Sequence, residues 1–196
     1  MNRSLFLRLS PLAEEAGQAR RIIAATCAAW GCPPDLVADL TLLAAELIGN
    51  AVLHGPRSEI EVELHNRGAV MLVEVTDTAE AIPVPVEPAP EQESGRGLFI
   101  VQALATVWDW RRNPCGTKTV WSAVLLPDGS MTELVEFVRE RGSGCCAHPA
   151  RERVLAADAG RLATCRPTAP SRAFDHGADA APDAMPGARP DDGDLT

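Results

Sequence analysis

Glu46-Leu-Ile-Gly-Asn50-Ala-Val-Leu-His54-Gly55 sets a carboxylate, a carboxamide and an imidazole at four-residue steps inside an apolar run that reads as a buried helix. Four-residue spacing stacks side chains on one helical face. An unpaired buried polar group costs on the order of 1–3 kcal/mol, so a row of such groups needs a partner. Carboxylate plus carboxamide suits hydrated Mg2+, which accepts one or two protein oxygens and completes its shell with water and phosphates. That donor set points to a nucleotide.

Outward from this box, the chain divides readily. Ser4 to Leu9 alternates as a strand, and Pro11 ends it before a helix over Leu12 to Trp30 with apolar positions at three and four. Pro34 suits the first turn of a second helix, Asp35 to His54, which carries the box and closes at Gly55-Pro56. Ile60, Val62 and Leu64 against Glu59, Glu61 and Glu63 predict a strand with one wet face. After the turn at Asn66-Arg67-Gly68, Ala69 to Thr76 pairs with it and delivers Asp77 at its end. Pro83, Pro85, Pro88 and Pro90 make Thr78 to Ser94 an irregular loop or lid. A helix over Gly97 to Val107 follows, then a hairpin of Trp108 to Arg112 with Lys118 to Leu125, and a short helix near Thr132 to Arg141.

Three further motifs stand in fixed order: Val73-Glu-Val-Thr-Asp77, Ser94-Gly95-Arg96-Gly97-Leu98, and Gly116-Thr117-Lys118-Thr119-Val120-Trp121. Read alone, Asp77 is a strand-end residue that accepts local backbone hydrogens. The glycines of the second motif let backbone N–H groups turn toward phosphate oxygens at the positive end of the next helix. Arg96 either touches phosphate or points to water. His54 either hydrogen-bonds phosphate or caps its helix. The four tryptophans read as packing residues.

Together with the Glu46–Gly55 box, these motifs resemble the Bergerat-type ATP-binding fold of sensor histidine kinases, gyrase, heat-shock protein 90 and the mismatch-repair ATPase. The resemblance runs from about Leu5 to Leu126 and is strongest to the small bacterial anti-sigma-factor serine/threonine kinases. It implies a two-layer α/β sandwich, a mixed and mostly antiparallel sheet with three helices on one face. ATP and Mg2+ are the implied cofactors. Asn50 would hold Mg2+ and bridge the triphosphate, and Glu46 would orient or deprotonate the attacking hydroxyl. Asp77 would accept the exocyclic amine of adenine, and Ser94, Gly95, Arg96, Gly97 and Leu98 would line the phosphates with His54. Thr119, in competition with Thr117, would meet adenine beside Asp77. The chain departs from the family in carrying Ala79 and Ala81 where glycines are usual, which bears on backbone approach to the nucleotide.

The implied partners are an antagonist protein, a sigma factor, or both, and the resemblance implies a homodimer. A binding module that sequesters a regulator without transferring phosphate is the alternative. There is no GxxxxGK[ST] loop. With a lead of 11 residues before the first helix, no dimerising helical segment with a phospho-accepting His is expected ahead of the domain. The serine-kinase reading therefore stands ahead of a sensor histidine kinase.

The 196 residues allow one ordinary domain plus an appendage: an ATP-binding domain over 1–127, a short helix within 128–141 and a tail over 142–196. The tail is dominated by Ala, Pro, Gly, Asp and Arg, a composition that predicts disorder. A formal charge of −9 argues against direct nucleic-acid binding. No uncharged apolar run of about 18 residues occurs, so no membrane span and a cytoplasmic location are expected. The six cysteines have no CxxC spacing and read as free thiols, the adjacent Cys145-Cys146 included.

Overall fold

Leu5, Leu7 and Leu9 point to one side of β1 (Arg3–Leu9) and Ser4, Phe6 and Arg8 to the other, and this strand is one edge of a five-stranded sheet. The computed structural model of the chain describes residues 2–55, 58–84 and 96–140. Ser94, Gly95 and the 142–196 tail lie outside the described residues. After β1 come α1 (Ala13–Ala29), α2 (Pro34–His54), β2 (Ile60–Asn66), β3 (Val70–Asp77), α3 (Gly97–Leu104), β4 (Val107–Arg112), β5 (Lys118–Leu125) and α4 (Met131–Glu140). The sheet order is β1-β2-β3-β5-β4. All four neighbouring pairs are antiparallel, so the mostly antiparallel sheet expected from the sequence has no parallel pair among the described strands.

Helix α2 is central: it packs on α1, α3 and β3. Its buried stripe is Leu40, Leu43, Ala44, Leu47, Ile48 and Ala51, the three-and-four spacing of a core-facing helix. Each leucine buried there is worth about 1.5–3 kcal/mol. By length and composition α2 is apolar enough to cross a bilayer, but this stripe is spent on the protein core. Pro34 occupies the first turn as expected. Gly55 ends the helix in extended rather than left-handed conformation, and space explains it, because a Cβ there would lie 2.4 Å from the Ala51 carbonyl oxygen.

The main core lies between the helices α1–α3 and one face of the sheet, where Val62, Leu64, Met71, Val73, Val75, Trp108 and Val120 meet the α2 stripe. The other face is not wholly wet. Val70, Leu72, Val107, Trp121 and Ala123 form a second core under Leu134, Val135 and Val138 of α4. Three helices on one face is therefore right for α1–α3, and α4 covers part of the opposite face. Helix α3 stops at Leu104, short of the expected Val107. Ala105 is extended and the Thr106 N–H already pairs with the Ala123 carbonyl, so the sheet takes over there.

Candidate functional site

Glu46 and Asn50 sit one turn apart on the half-buried flank of α2. The first residue of α3, Gly97, packs directly on them. A Cβ built on Gly97 would lie 2.8 Å from Glu46 Oε2 and 3.3 Å from both polar atoms of the Asn50 amide. With any side chain at this position the Glu46 carboxylate would have to swing aside. The Asn50 Nδ2 atom is buried and has no hydrogen-bond partner among the described residues. An unanswered buried amide beside a carboxylate is the condition expected of a site whose partner is a ligand.

Arg96 precedes α3 in helical conformation and is exposed, and Leu98 is half-buried against the main core. His54 is exposed at the C-terminal end of α2. Its position there suits the negative end of the helix dipole, and it stands a full turn beyond Asn50. The structure thus brings Glu46, Asn50 and Gly97 together and leaves His54 at the margin.

Asp77 ends β3 on the face shared with Met71, Val73 and Val75, the face that packs against α2. It is 4% exposed. Its Oδ1 accepts the Ala79 N–H at 2.6 Å, the local turn bond that a strand-end aspartate makes. Directly across the sheet stands Lys118, whose Nζ is 3.4 Å from the same oxygen. Lys118 is itself buried and donates to the Ala81 carbonyl at 3.0 Å. Arg112 Nη1 donates to the Ala79 carbonyl at 2.9 Å, and its Nη2 donates to Glu80. Two cations from β4 and β5 therefore hold the segment in which Ala79 and Ala81 replace the usual glycines.

Thr119 departs from expectation. It is one residue out of phase with Lys118, so strand alternation turns it to the α4 side of the sheet. There its Oγ1 is 2.7 Å from Thr76 Oγ1 and accepts from Asn113 Nδ2 at 2.9 Å. Thr117, bonded to the same Asn113 amide at 2.8 Å, belongs to this polar cluster too. Neither threonine shares the face of Asp77. The residue that does is Lys118, which the sequence reading passed over.

A cavity of about 580 Å³ opens on the far side of the sheet, against α4, and Arg111, Glu133 and Phe137 are among its walls. It touches none of the residues above. Among the described cysteines, Cys27, Cys32 and Cys115 are free thiols as expected.

The family model for the histidine kinase-like ATPase domain matches residues 9–122 of the chain. No curated protein matches it. Among solved structures, the chain is similar to the RsbU and RsbW domains of Rv1364c from Mycobacterium tuberculosis, with 19% identity and a TM-score of 0.47. That likeness covers 63% of this chain and 32% of the other.

Proposed function

Since the chain belongs to the histidine kinase-like ATPase domain family, and so is an ATPase domain of that type, we propose that it is a serine/threonine protein kinase of the anti-sigma-factor type. In this reading it uses ATP to phosphorylate an antagonist protein. The observation that carries it is the packing of Gly97 on Glu46 and Asn50. One carboxylate and one carboxamide meet the N-terminal turn of a helix there, the arrangement needed to face a metal-bound triphosphate.

The residues fit Mg2+. Asn50 would hold it through the side-chain oxygen, and its buried Nδ2, unanswered among the described residues, would donate to a phosphate oxygen. When bound, the ion neutralises phosphate charge. The chain's own groups do the rest. Backbone N–H groups at the start of α3, with Arg96, Gly97 and Leu98 and the preceding Ser94 and Gly95, hold phosphate oxygens. Asp77 accepts the exocyclic amine of adenine. Glu46 orients the partner's serine hydroxyl and takes its proton as the serine oxygen bonds to the γ-phosphorus. The bond from that phosphorus to the bridging oxygen breaks, and ADP leaves. The contribution of Glu46 is chiefly positional. A sigma factor would dock elsewhere on the molecule, in the cytoplasm, with the chain working as a homodimer. Leu53 on α2 and Phe99 on α3, both exposed, offer apolar contact for a protein partner beside the site.

A second reading has its own observation. Ala79 is buried and the carbonyls of Ala79 and Ala81 are already held by Arg112 and Lys118, which favours an adaptor that sequesters a regulator without phosphoryl transfer. Labelled ATP and candidate antagonists separate the two. The kinase reading expects phosphoserine on the antagonist, reduced by about 10²–10⁴-fold in Glu46→Ala and unaffected by removal of 142–196. Nucleotide binding without transfer supports the adaptor. If calorimetry with Mg2+ and adenine nucleotides shows no heat, the kinase reading and a nucleotide-binding adaptor both fall.

A further inference from the structure

The side of the sheet facing away from α1–α3 carries a polar cluster that the nucleotide reading does not use. Glu63 of β2 and Glu74 of β3 are direct cross-strand partners, and like charges in that position repel. His65 lies two residues along β2 on the same face. Its Nε2 is 3.1 Å from Glu63 Oε2 and 3.6 Å from Glu74 Oε2. The three donor atoms fall within 4.8 Å of one another. We propose that Glu63, His65 and Glu74 bind a divalent transition-metal ion of the zinc class.

The donor set argues for that class. One imidazole nitrogen and two carboxylate oxygens suit Zn2+, whereas Ca2+ takes six to eight oxygens and Mg2+ keeps most of its waters. Two paired strands hold the three side chains, so the site needs little ordering on binding. The Glu74 side chain is 4% exposed, that of His65 11% and that of Glu63 40%, so the cluster is walled on the Glu74 side and open to solvent past Glu63. Arg111 donates to Glu74 Oε1 at 3.0 Å, which leaves Oε2 turned to His65. Outer partners of this kind orient metal ligands. The Arg111 charge offsets the Glu74 carboxylate, and the Glu63 carboxylate is hydrogen-bonded to the His65 ring nitrogen, a contact that a bound ion would replace. A fourth coordination position stays open to water.

The test is titration of the full chain with Zn2+ by calorimetry and with Co2+ by visible absorption, for the natural chain, His65→Ala and Glu63→Gln. Glu63→Gln sits at the open side, and neither substitution removes a member of the Glu74–Arg111 pair. One equivalent of metal is expected in the natural chain, weakened at least tenfold in each variant, with a Co2+ spectrum free of thiolate charge-transfer bands. Zn2+ should also raise the melting temperature of the natural chain and not that of His65→Ala. Equal affinity in all three proteins, thiolate bands accompanying all of the binding, or no binding at all would each overturn the site. These readouts need no ATP, so their failure is separate from failure of the kinase reading.

Discussion

A methyl group added at Gly97 meets the Glu46 carboxylate before anything else. The obstructing atom is the far end of a flexible side chain, and alanine is the better helix former. Gly97→Ala is therefore expected to change folding stability by less than about 1 kcal/mol. Moving Glu46 by about 1 Å should nevertheless cost on the order of a hundredfold in phosphoryl transfer. Parallel denaturation and labelled-ATP assays check both halves, and an alanine variant of full activity would contradict the role given to Glu46.

Lys118 tests the other end of the site. Lys118→Met leaves Asp77 buried without its cation, and breaking such a pair costs about 3–5 kcal/mol. Adding Asp77→Asn should recover part of that loss. A double-mutant cycle by urea unfolding measures the coupling directly. Lys118 was hard to find for a physical reason. Val120 and Val124 face one core while Trp121, Ala123 and Leu125 face the other, so β5 is apolar on both sides and its alternation shows no polarity from which to choose a face. On β2 the glutamates mark the outer side, and there the assignment could be read directly.

At the scale of the element, α4 shows how a short helix is held. The Ser130 N–H and hydroxyl both donate to Glu133 Oε2 at 2.9 Å, and the Glu133 N–H returns to Ser130 Oγ at 3.3 Å. This is a reciprocal capping box. Ser130→Ala should cost about 1 kcal/mol, visible as a lowered melting temperature. The backbone N–H of Ser130, then its hydroxyl, holds the Glu133 carboxyl below the usual carboxylate range. The support it lends is present at neutral pH and is lost as pH falls through that lowered value. The sequence reading located this helix within a residue or two and missed what it covers, since Leu134, Val135 and Val138 name an apolar side without naming its target. The hairpins were legible for the opposite reason. Asn66-Arg67-Gly68 and Asn113 to Gly116 put glycine at positive φ where the turn demands it.

At the scale of the whole molecule, a buried thiol contributes to stability on the alkaline side. Burial first, then the neighbouring Cys32, pushes the Cys27 thiol up to about 12 from an ordinary 9.0. The unfolded chain gives up that proton near 9.0, whereas the folded protein keeps it until about 12. The contribution of Cys27 is therefore complete below 9.0 and drains away as pH rises through that window. Urea midpoints against pH should fall more steeply for the natural chain than for Cys27→Ala, and parallel slopes would refute the assignment.

The coverage of Trp121, Val107 and Leu72 by α4 has a practical corollary. A fragment trimmed to the matched stretch, residues 9–122, would lose β1 as well as this cover and present tryptophan and valine to water. Such a fragment should clump at the concentrations used for assays, whereas a version carried through Glu140 keeps its greasy underside shielded. Anyone preparing the ATPase domain for crystallisation or screening should place the stop codon beyond that helix.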